Sequence, residues 1–312
     1  MTSFAFVFPG QGSQTVGMLD AWGDHAAVRD TLAEASDALG EDIGALIAQG
    51  PKESLDLTTN TQPVMLTVAV ACLRAWLAET GLTPSVVAGH SLGEYSALVA
   101  AGALTLRDAL PLVRFRAQAM QEAVPVGQGG MAAILGLEAQ AVREGCAEAA
   151  AATGETVEAV NYNDPKQTVI AGTRAAVEKA CEVLKAKGAK RALLLPVSAP
   201  FHSSLMRPAA ERLKEKLAAT SMAVPSIPVI NNIDVAVQTD PIAIRDALYR
   251  QAFGPVRWVE TIQAIRARGI LHILECGPGK VLAGMVKRIE SDATGAPVFD
   301  PASLAEAKGM LS

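Results

Sequence analysis

Gly89-His90-Ser91-Leu92-Gly93 sets a serine hydroxyl between two glycines, the pattern of a nucleophile held on a tight strand-to-helix turn, and points to acyl chemistry. Its flanks suit that turn. Ser85-Val86-Val87-Ala88 favours a strand, and Glu94-Tyr95-Ser96-Ala97-Leu98-Val99-Ala100-Ala101 is rich in helix formers. A serine on such a turn is strained, and positions without Cβ on either side let strand and helix approach. The hydroxyl also needs a base, for which the chain offers His25, His90, His202 and His272. His90 precedes the nucleophile on the strand and should point to the other side of the backbone, a structural position. His25 falls on a surface helix, and His272 sits inside the apolar strand Ile270-Leu271-His272-Ile273-Leu274 as a core histidine. His202 follows Val197-Ser198-Ala199-Pro200-Phe201, an irregular segment before a helix, where catalytic groups concentrate. Position alone leaves its role open.

Gly10-Gln11-Gly12-Ser13-Gln14 follows the first strand and lacks the third glycine of a dinucleotide loop, because Thr15 stands there. It reads either as a plain turn or as a loop of backbone donors facing Ser91, with the N–H of Leu92 as the second donor of an oxyanion hole. Arg114 and Arg116 lie on an apolar helix with Leu110, Leu112, Val113 and Met120. A buried arginine there would need an anion, and a substrate carboxylate would serve. Gly277-Pro278-Gly279-Lys280 lacks the spacing of a phosphate loop and reads as a turn.

These residues need a large scaffold, and 312 residues with 50% hydrophobic content can bury one in one large domain or two. With 27 basic and 32 acidic residues the net charge is −5, which argues against a general binder of nucleic acid or membrane surfaces. Cys72, Cys146, Cys181 and Cys276 are irregularly spaced, so no zinc site or redox pair is indicated and a reducing cytoplasm fits. Phe4-Ala5-Phe6-Val7-Phe8 has no basic leader and stops at Pro9-Gly10, so it reads as a buried strand. The apolar stretch Val64 to Ala78 holds Thr67 and Arg74 and opens at Asn60 or Thr61 with Pro63, the signs of a soluble helix. No span is expected to cross a membrane.

Residues 1 to about 125 alternate strand and helix: a strand at 4–8, helices near 24–38 and 60–80, a strand at 85–89, and helices at 91–101 and 105–120. After the linker 124–130, strands at 131–135, 157–161, 168–171 and 191–195 alternate with helices at 138–150 and 174–187. That βαββαβ order is ferredoxin-like and interrupts the larger body. The expected fold is therefore α/β: a hydrolase-like body with a parallel central sheet, residues 1–127 and 198–312, and an inserted ferredoxin-like subdomain, residues 128–197. A cleft between them would hold the substrate, with Ser91 facing it.

Six segments taken together resemble the malonyl-CoA:acyl carrier protein transacylases over nearly the whole chain. They are Phe8-Pro9-Gly10-Gln11-Gly12-Ser13-Gln14, Gly89 to Tyr95, Met120-Gln121-Glu122-Ala123-Val124-Pro125, Asn161-Tyr162-Asn163, Pro196 to His202, and Glu275-Cys276-Gly277-Pro278-Gly279-Lys280. The resemblance implies Ser91 as nucleophile, His202 as base, the amides of Gln11 and Leu92 as oxyanion hole, and Arg116 as clamp for the malonyl carboxylate. It also implies that the main-chain carbonyl of Gln251 orients the histidine, that Phe201 crowds out branched acyl groups, and that Asn161 and Asn163 belong to the substrate-binding region. The expected reaction moves a malonyl group from malonyl-CoA to the thiol of acyl carrier protein for fatty-acid elongation, in the cytoplasm, by a monomer. No metal or cofactor is expected, since the coenzyme A thioester is itself a substrate. The carrier is acidic in this family, which makes Lys187, Lys190, Arg191, Lys280, Lys287 and Arg288 candidates for a basic rim. Three rivals are an α/β-hydrolase esterase, whose late histidine could here only be His272, a trans-acting acyltransferase of a polyketide synthase, and a carrier-binding scaffold with a dead site. Intact Ser91 and His202 argue against the last.

Overall fold

The first strand, Phe4–Phe8, sends Phe4, Phe6 and Phe8 into one apolar cluster and Ala5 and Val7 into another, all five at most 3% exposed. A strand that is apolar on both faces belongs in a parallel sheet covered on both sides. The computed structural model describes residues 2–197 and 199–311. Met1, Ser198 and Ser312, which the sequence places in the larger body, lie outside the described residues. Among those described, the strands are β1 (Phe4–Phe8), β2 (Val86–Gly89), β3 (Gly129–Leu135), β4 (Val157–Asp164), β5 (Gln167–Thr173), β6 (Arg191–Leu194), β7 (Val229–Ile230), β8 (His272–Cys276) and β9 (Thr294–Val298).

One sheet is wholly parallel, in the order β7-β2-β1-β8-β9. Against the phenylalanine face packs the helix Thr58–Thr80, with the Trp76 ring 5.4 Å from that of Phe6 in an edge contact. This helix is long and apolar enough to cross a membrane, yet 83% of its apolar window is buried inside the protein, as a core helix requires. The other face is covered by Trp258, Ile262 and Ile265 of the helix Trp258–Arg266.

The second sheet is antiparallel, in the order β4-β5-β3-β6. Ala132 and Ile134 of β3 face the helices Ala139–Thr153 and Arg174–Ala186, which cover one side. Met131 and Val169 face the other way, toward Met120 and Phe201 of the body. The fold is thus the expected α/β arrangement, with a parallel sheet and a separate antiparallel sheet of ferredoxin-like order. β4 fastens the two together: Tyr162 N–H donates to the Val256 carbonyl at 3.0 Å, and Val256 N–H to the Val160 carbonyl at 2.8 Å.

Several boundaries differ from expectation. The long helix begins at Thr58, so Pro63 lies inside it and not at its opening. The supposed linker ends early, because Gly129 and Gly130 already pair with Thr173 and Gly172. Short helices at Ile43–Gln49 and Lys52–Asp56, the edge strand β9 and the helix Pro301–Gly309 are additions. β9 reads Thr-Gly-Ala-Pro-Val, and its glycine is needed, since a Cβ on Gly295 would sit 2.3 Å from the Ala283 carbonyl oxygen.

Candidate active site

Ser91 lies two residues past the end of β2 and has φ 54°, a left-handed backbone that a side chain tolerates only when its surroundings hold it there. Both flanking glycines are required. A Cβ on Gly89 would come within 1.9 Å of Gly93, and one on Gly93 within 2.1 Å of the Phe8 carbonyl oxygen. The loop Gly10–Gln14 presses on the same turn, for a Cβ on Gly10 would lie 2.7 Å from the His90 carbonyl oxygen. These contacts put the loops after β1 and β2 side by side at the carboxyl ends of parallel strands, where open α/β sheets bind their ligands.

His202 is the histidine that reaches Ser91, its Nε2 lying 2.6 Å from Ser91 Oγ. Its Nδ1 lies 2.8 Å from the main-chain carbonyl oxygen of Gln251. A carbonyl only accepts, so Nδ1 carries the proton, Nε2 is left as acceptor, and the serine hydroxyl donates to it. Burial, and then the nearby Arg116 cation, push the His202 pKa down to about 3, which keeps the ring a neutral base.

Arg116 is 2% exposed, on the helix Leu106–Glu122. Its Nη1 donates to Gln62 Oε1 at 2.8 Å, and its Nη2 reaches Gln251 Oε1 at 3.2 Å and Ser91 Oγ at 3.3 Å. Burial lowers its pKa, though an arginine starts high enough to remain a cation. Among the described residues no carboxylate bonds to it directly. Arg114, the alternative two residues earlier, is instead clamped at the surface by both oxygens of Glu41.

The N–H groups of Gln11 and Leu92 have no hydrogen-bond partner among the described residues, whereas the N–H of Ser91 is taken by Asn232 Oδ1 at 2.8 Å. Ser91, His202, Arg116 and Gln11 line one cleft of about 790 Å³ between the two sheets. Its apolar wall includes Met120, Met131 and Phe201. Asn161 and Asn163 line it too, but Asn163 Oδ1 pairs with His90 Nε2 at 2.8 Å and so ties β4 to the elbow. His90 therefore has a structural position, as expected, though at the cleft edge and not away from it. Asn161 Oδ1 is buried without a partner among the described residues. His25 pairs with Glu79 at 3.2 Å, and neither it nor His272 lines the cleft.

At the Gly277-Pro278-Gly279-Lys280 turn the start of the helix Val281–Ile289 is served by the protein itself, the Glu275 carboxylate accepting the N–H of Ala283 at 2.8 Å. The turn packs against the Gly10–Gln14 loop, Gly279 lying where a Cβ would meet Ser13 at 2.9 Å. Of the basic candidates, Lys187 is paired with Glu148 at 3.0 Å and Arg288 with Asp164 at 2.9 Å, while Lys190, Arg191, Lys280 and Lys287 stand exposed. Gln62, Glu94 and Asn232 were not singled out from sequence. Gln62 ends the polar first turn, Thr58 to Gln62, of an otherwise apolar helix, so nothing in the local sequence set it apart.

The acyl transferase domain family matches residues 5–301 of the chain. The chain belongs to this family. Within the acyl transferases it falls among the malonyl CoA-acyl carrier protein transacylases. The Salmonella typhimurium (strain LT2) protein of that name is 52% identical over 308 residues, covering 98% of this chain and 99% of the relative. The crystal structure of an acyl-carrier-protein S-malonyltransferase from Burkholderia pseudomallei 1710b matches with a TM-score of 0.97 at 68% identity, covering 99% of this chain and 100% of that one. A malonyl-transacylase solved with its type II polyketide synthase acyl-carrier protein matches with a TM-score of 0.97 at 48% identity, covering 99% and 100%.

Proposed function

We propose that this acyl transferase moves a malonyl group from malonyl-CoA to the phosphopantetheine thiol of acyl carrier protein for fatty-acid elongation, by way of a malonyl ester on Ser91. One observation carries the choice of acid: a buried guanidinium 3.3 Å from the nucleophile with no carboxylate bonded to it among the described residues. In a malonyl thioester the free carboxylate is one methylene from the carbonyl under attack, so the cation that receives it must stand beside the serine.

Ser91 Oγ attacks the thioester carbon as His202 Nε2 accepts its proton. The carbonyl oxygen becomes an oxyanion facing the N–H groups of Gln11 and Leu92, each such donor worth about 3 kcal/mol. The C–S bond breaks, His202 returns the proton to the departing coenzyme A sulfur, and the malonyl ester remains. The carrier thiol then enters, gives its proton to His202 and attacks the ester carbon, and Ser91 leaves with that proton. Gln251 holds the ring by a carbonyl where an esterase triad uses a carboxylate, so a dyad suffices for exchange between thiols. Phe201 narrows the cleft against branched acyl groups.

We assign the work to residues 1–127 and 198–312 as body and 128–197 as inserted unit, with a site complete in one protomer, since Ser91, His202, Arg116 and Gln251 all come from one chain. The steps use side chains, amides and the thioester alone, with no cofactor, and four free buried cysteines suit the cytoplasm. A polyketide carrier is the second reading, favoured by the polyketide-associated neighbour. Incubation with malonyl-CoA and each holo carrier in turn tests both: malonyl on the fatty-acid carrier is expected, and faster loading of the polyketide carrier would reverse the order. Free malonate as main product would contradict both.

Because His202 is held neutral, malonyl-enzyme formation should stay level from about pH 8 to about pH 5. A group with a depressed pKa loses its base form only as pH falls through the lowered value, so no acid limb is expected at the ordinary histidine value of 6.5. Stopped-flow release of coenzyme A across that range reads this, and a halving at 6.5 would contradict it.

A further inference from the structure

Glu94 lies three residues beyond the nucleophile in the helix Gly93–Ala100 and is 2% exposed. A buried carboxyl is costly unless hydrogen bonds satisfy it. Its Oε2 accepts two, from the N–H of Asn232 at 2.9 Å and from Gln251 Nε2 at 3.0 Å. Both donors lead to reacting groups. Asn232, wholly buried, accepts the Ser91 N–H on Oδ1 at 2.8 Å and donates Nδ2 to the Gly89 carbonyl at 2.7 Å, bridging the two arms of the turn. Gln251, also wholly buried, gives its second Nε2 proton to the Ser91 carbonyl at 2.9 Å. Its Oε1 accepts from Arg116 at 3.2 Å, and its main-chain carbonyl accepts from His202.

The N–H and the carbonyl of the strained Ser91 are thus pinned by two different side chains, and both pins meet on one oxygen. We propose that Glu94 is a positioning residue for acyl transfer, setting the Ser91 main chain through Asn232 and Gln251 and the Arg116 guanidinium through Gln251. The proposal rests on the function proposed above for the malonyl-selective part of its effect. Glu94 touches none of the reacting atoms. What the pins need is an oxygen acceptor at the right depth, and charge is secondary, because burial lifts the Glu94 carboxyl to about 7 and near neutrality it is already partly uncharged. Glu94→Gln keeps the acceptor, Glu94→Asp keeps the acid but withdraws it by one methylene, and Glu94→Ala leaves two buried donors short of a partner.

Two readouts separate positioning from mere support of the fold. The first is the rate at which a serine-directed fluorophosphonate labels Ser91, a probe with neither malonyl nor coenzyme A. The second is the ratio of malonyl to acetyl transfer, which a change in the folded fraction cannot move. Glu94→Ala should slow labelling and lower that ratio by about tenfold each, as expected if each readout feels one of the two lost buried hydrogen bonds, while Glu94→Gln stays within about threefold of the parent in both. If Glu94→Ala does not fold, Glu94→Asp takes its place with the same expected losses. Parental labelling and ratio in a folded Glu94→Ala or Glu94→Asp enzyme, or losses in Glu94→Gln equal to those in Glu94→Ala, would overturn the proposal. A parent protein that labels with fluorophosphonate but takes no malonyl group would sink the proposed function alone, and labelling would still decide the role of Glu94.

Discussion

Ser91→Ala should abolish the acyl-enzyme and lower malonyl transfer by about 10⁵-fold or more, the scale on which removal of an activated serine is felt. The reason lies in how completely the turn is committed to this one hydroxyl. Ser91 is held at φ 54° by Asn232 and Gln251, its Oγ faces His202 Nε2 at 2.6 Å, and the N–H groups of Gln11 and Leu92, without a partner among the described residues, stand by the same turn. Alanine keeps the backbone and loses the only oxygen that can form the ester. His202→Ala should cost nearly as much, and the double variant little more than either, because a nucleophile without its base and a base without its nucleophile are equally idle. Multiplying losses in a kinetic comparison of the three would mean that the two residues act independently.

Arg116→Ala should separate two substrates. Malonyl transfer is expected to fall by about 10³-fold, since truncating one partner of a buried charge pair costs roughly 2–5 kcal/mol or more. Acetyl transfer should be unchanged or faster. An acetyl group offers no carboxylate to the guanidinium, and removing the cation also relieves a charge that holds the His202 pKa down. On the proposed binding of the malonyl carboxylate at Arg116, the substrate should have the same effect on the native enzyme, with His202 a stronger base once the acyl group is in place. Steady-state rates with malonyl-CoA and acetyl-CoA decide the matter, and equal losses with both would remove Arg116 from the role of clamp.

Legibility in the sequence followed the range over which each constraint acts. Gly89 and Ser91 could be read directly, because a Cβ at Gly89 collides with Gly93 inside the same short motif, whereas the reason for Gly93 is the distant Phe8 carbonyl and only its place in the pattern pointed to it. β1 was equally plain, being apolar on both faces. β9 was hidden by its Gly and Pro: Gly295 is needed because the Ala283 main chain lies against it, and Pro297 is tolerated because β9 is an edge strand. The short helix Ile43–Gln49 was missed because Gly50-Pro51 closes it before its period can show. In the cleft, a carbonyl such as that of Gln251 exists at every residue, so only the family resemblance could point to it. Glu94, Asn232 and Gln62 gain their importance from partners up to 157 residues away, and no local spacing encodes that.

The central claim is a malonyl ester on Ser91 that passes to a thiol. The most direct test is to mix the protein with malonyl-CoA labelled in the malonyl group, quench before carrier is added, and map the label by peptide mass spectrometry. One malonyl group on the peptide containing Ser91 is expected, absent from Ser91→Ala, stable until holo carrier is added and then found on the carrier's phosphopantetheine. Label on another residue, or an ester that water clears as fast as the carrier does, would contradict the account.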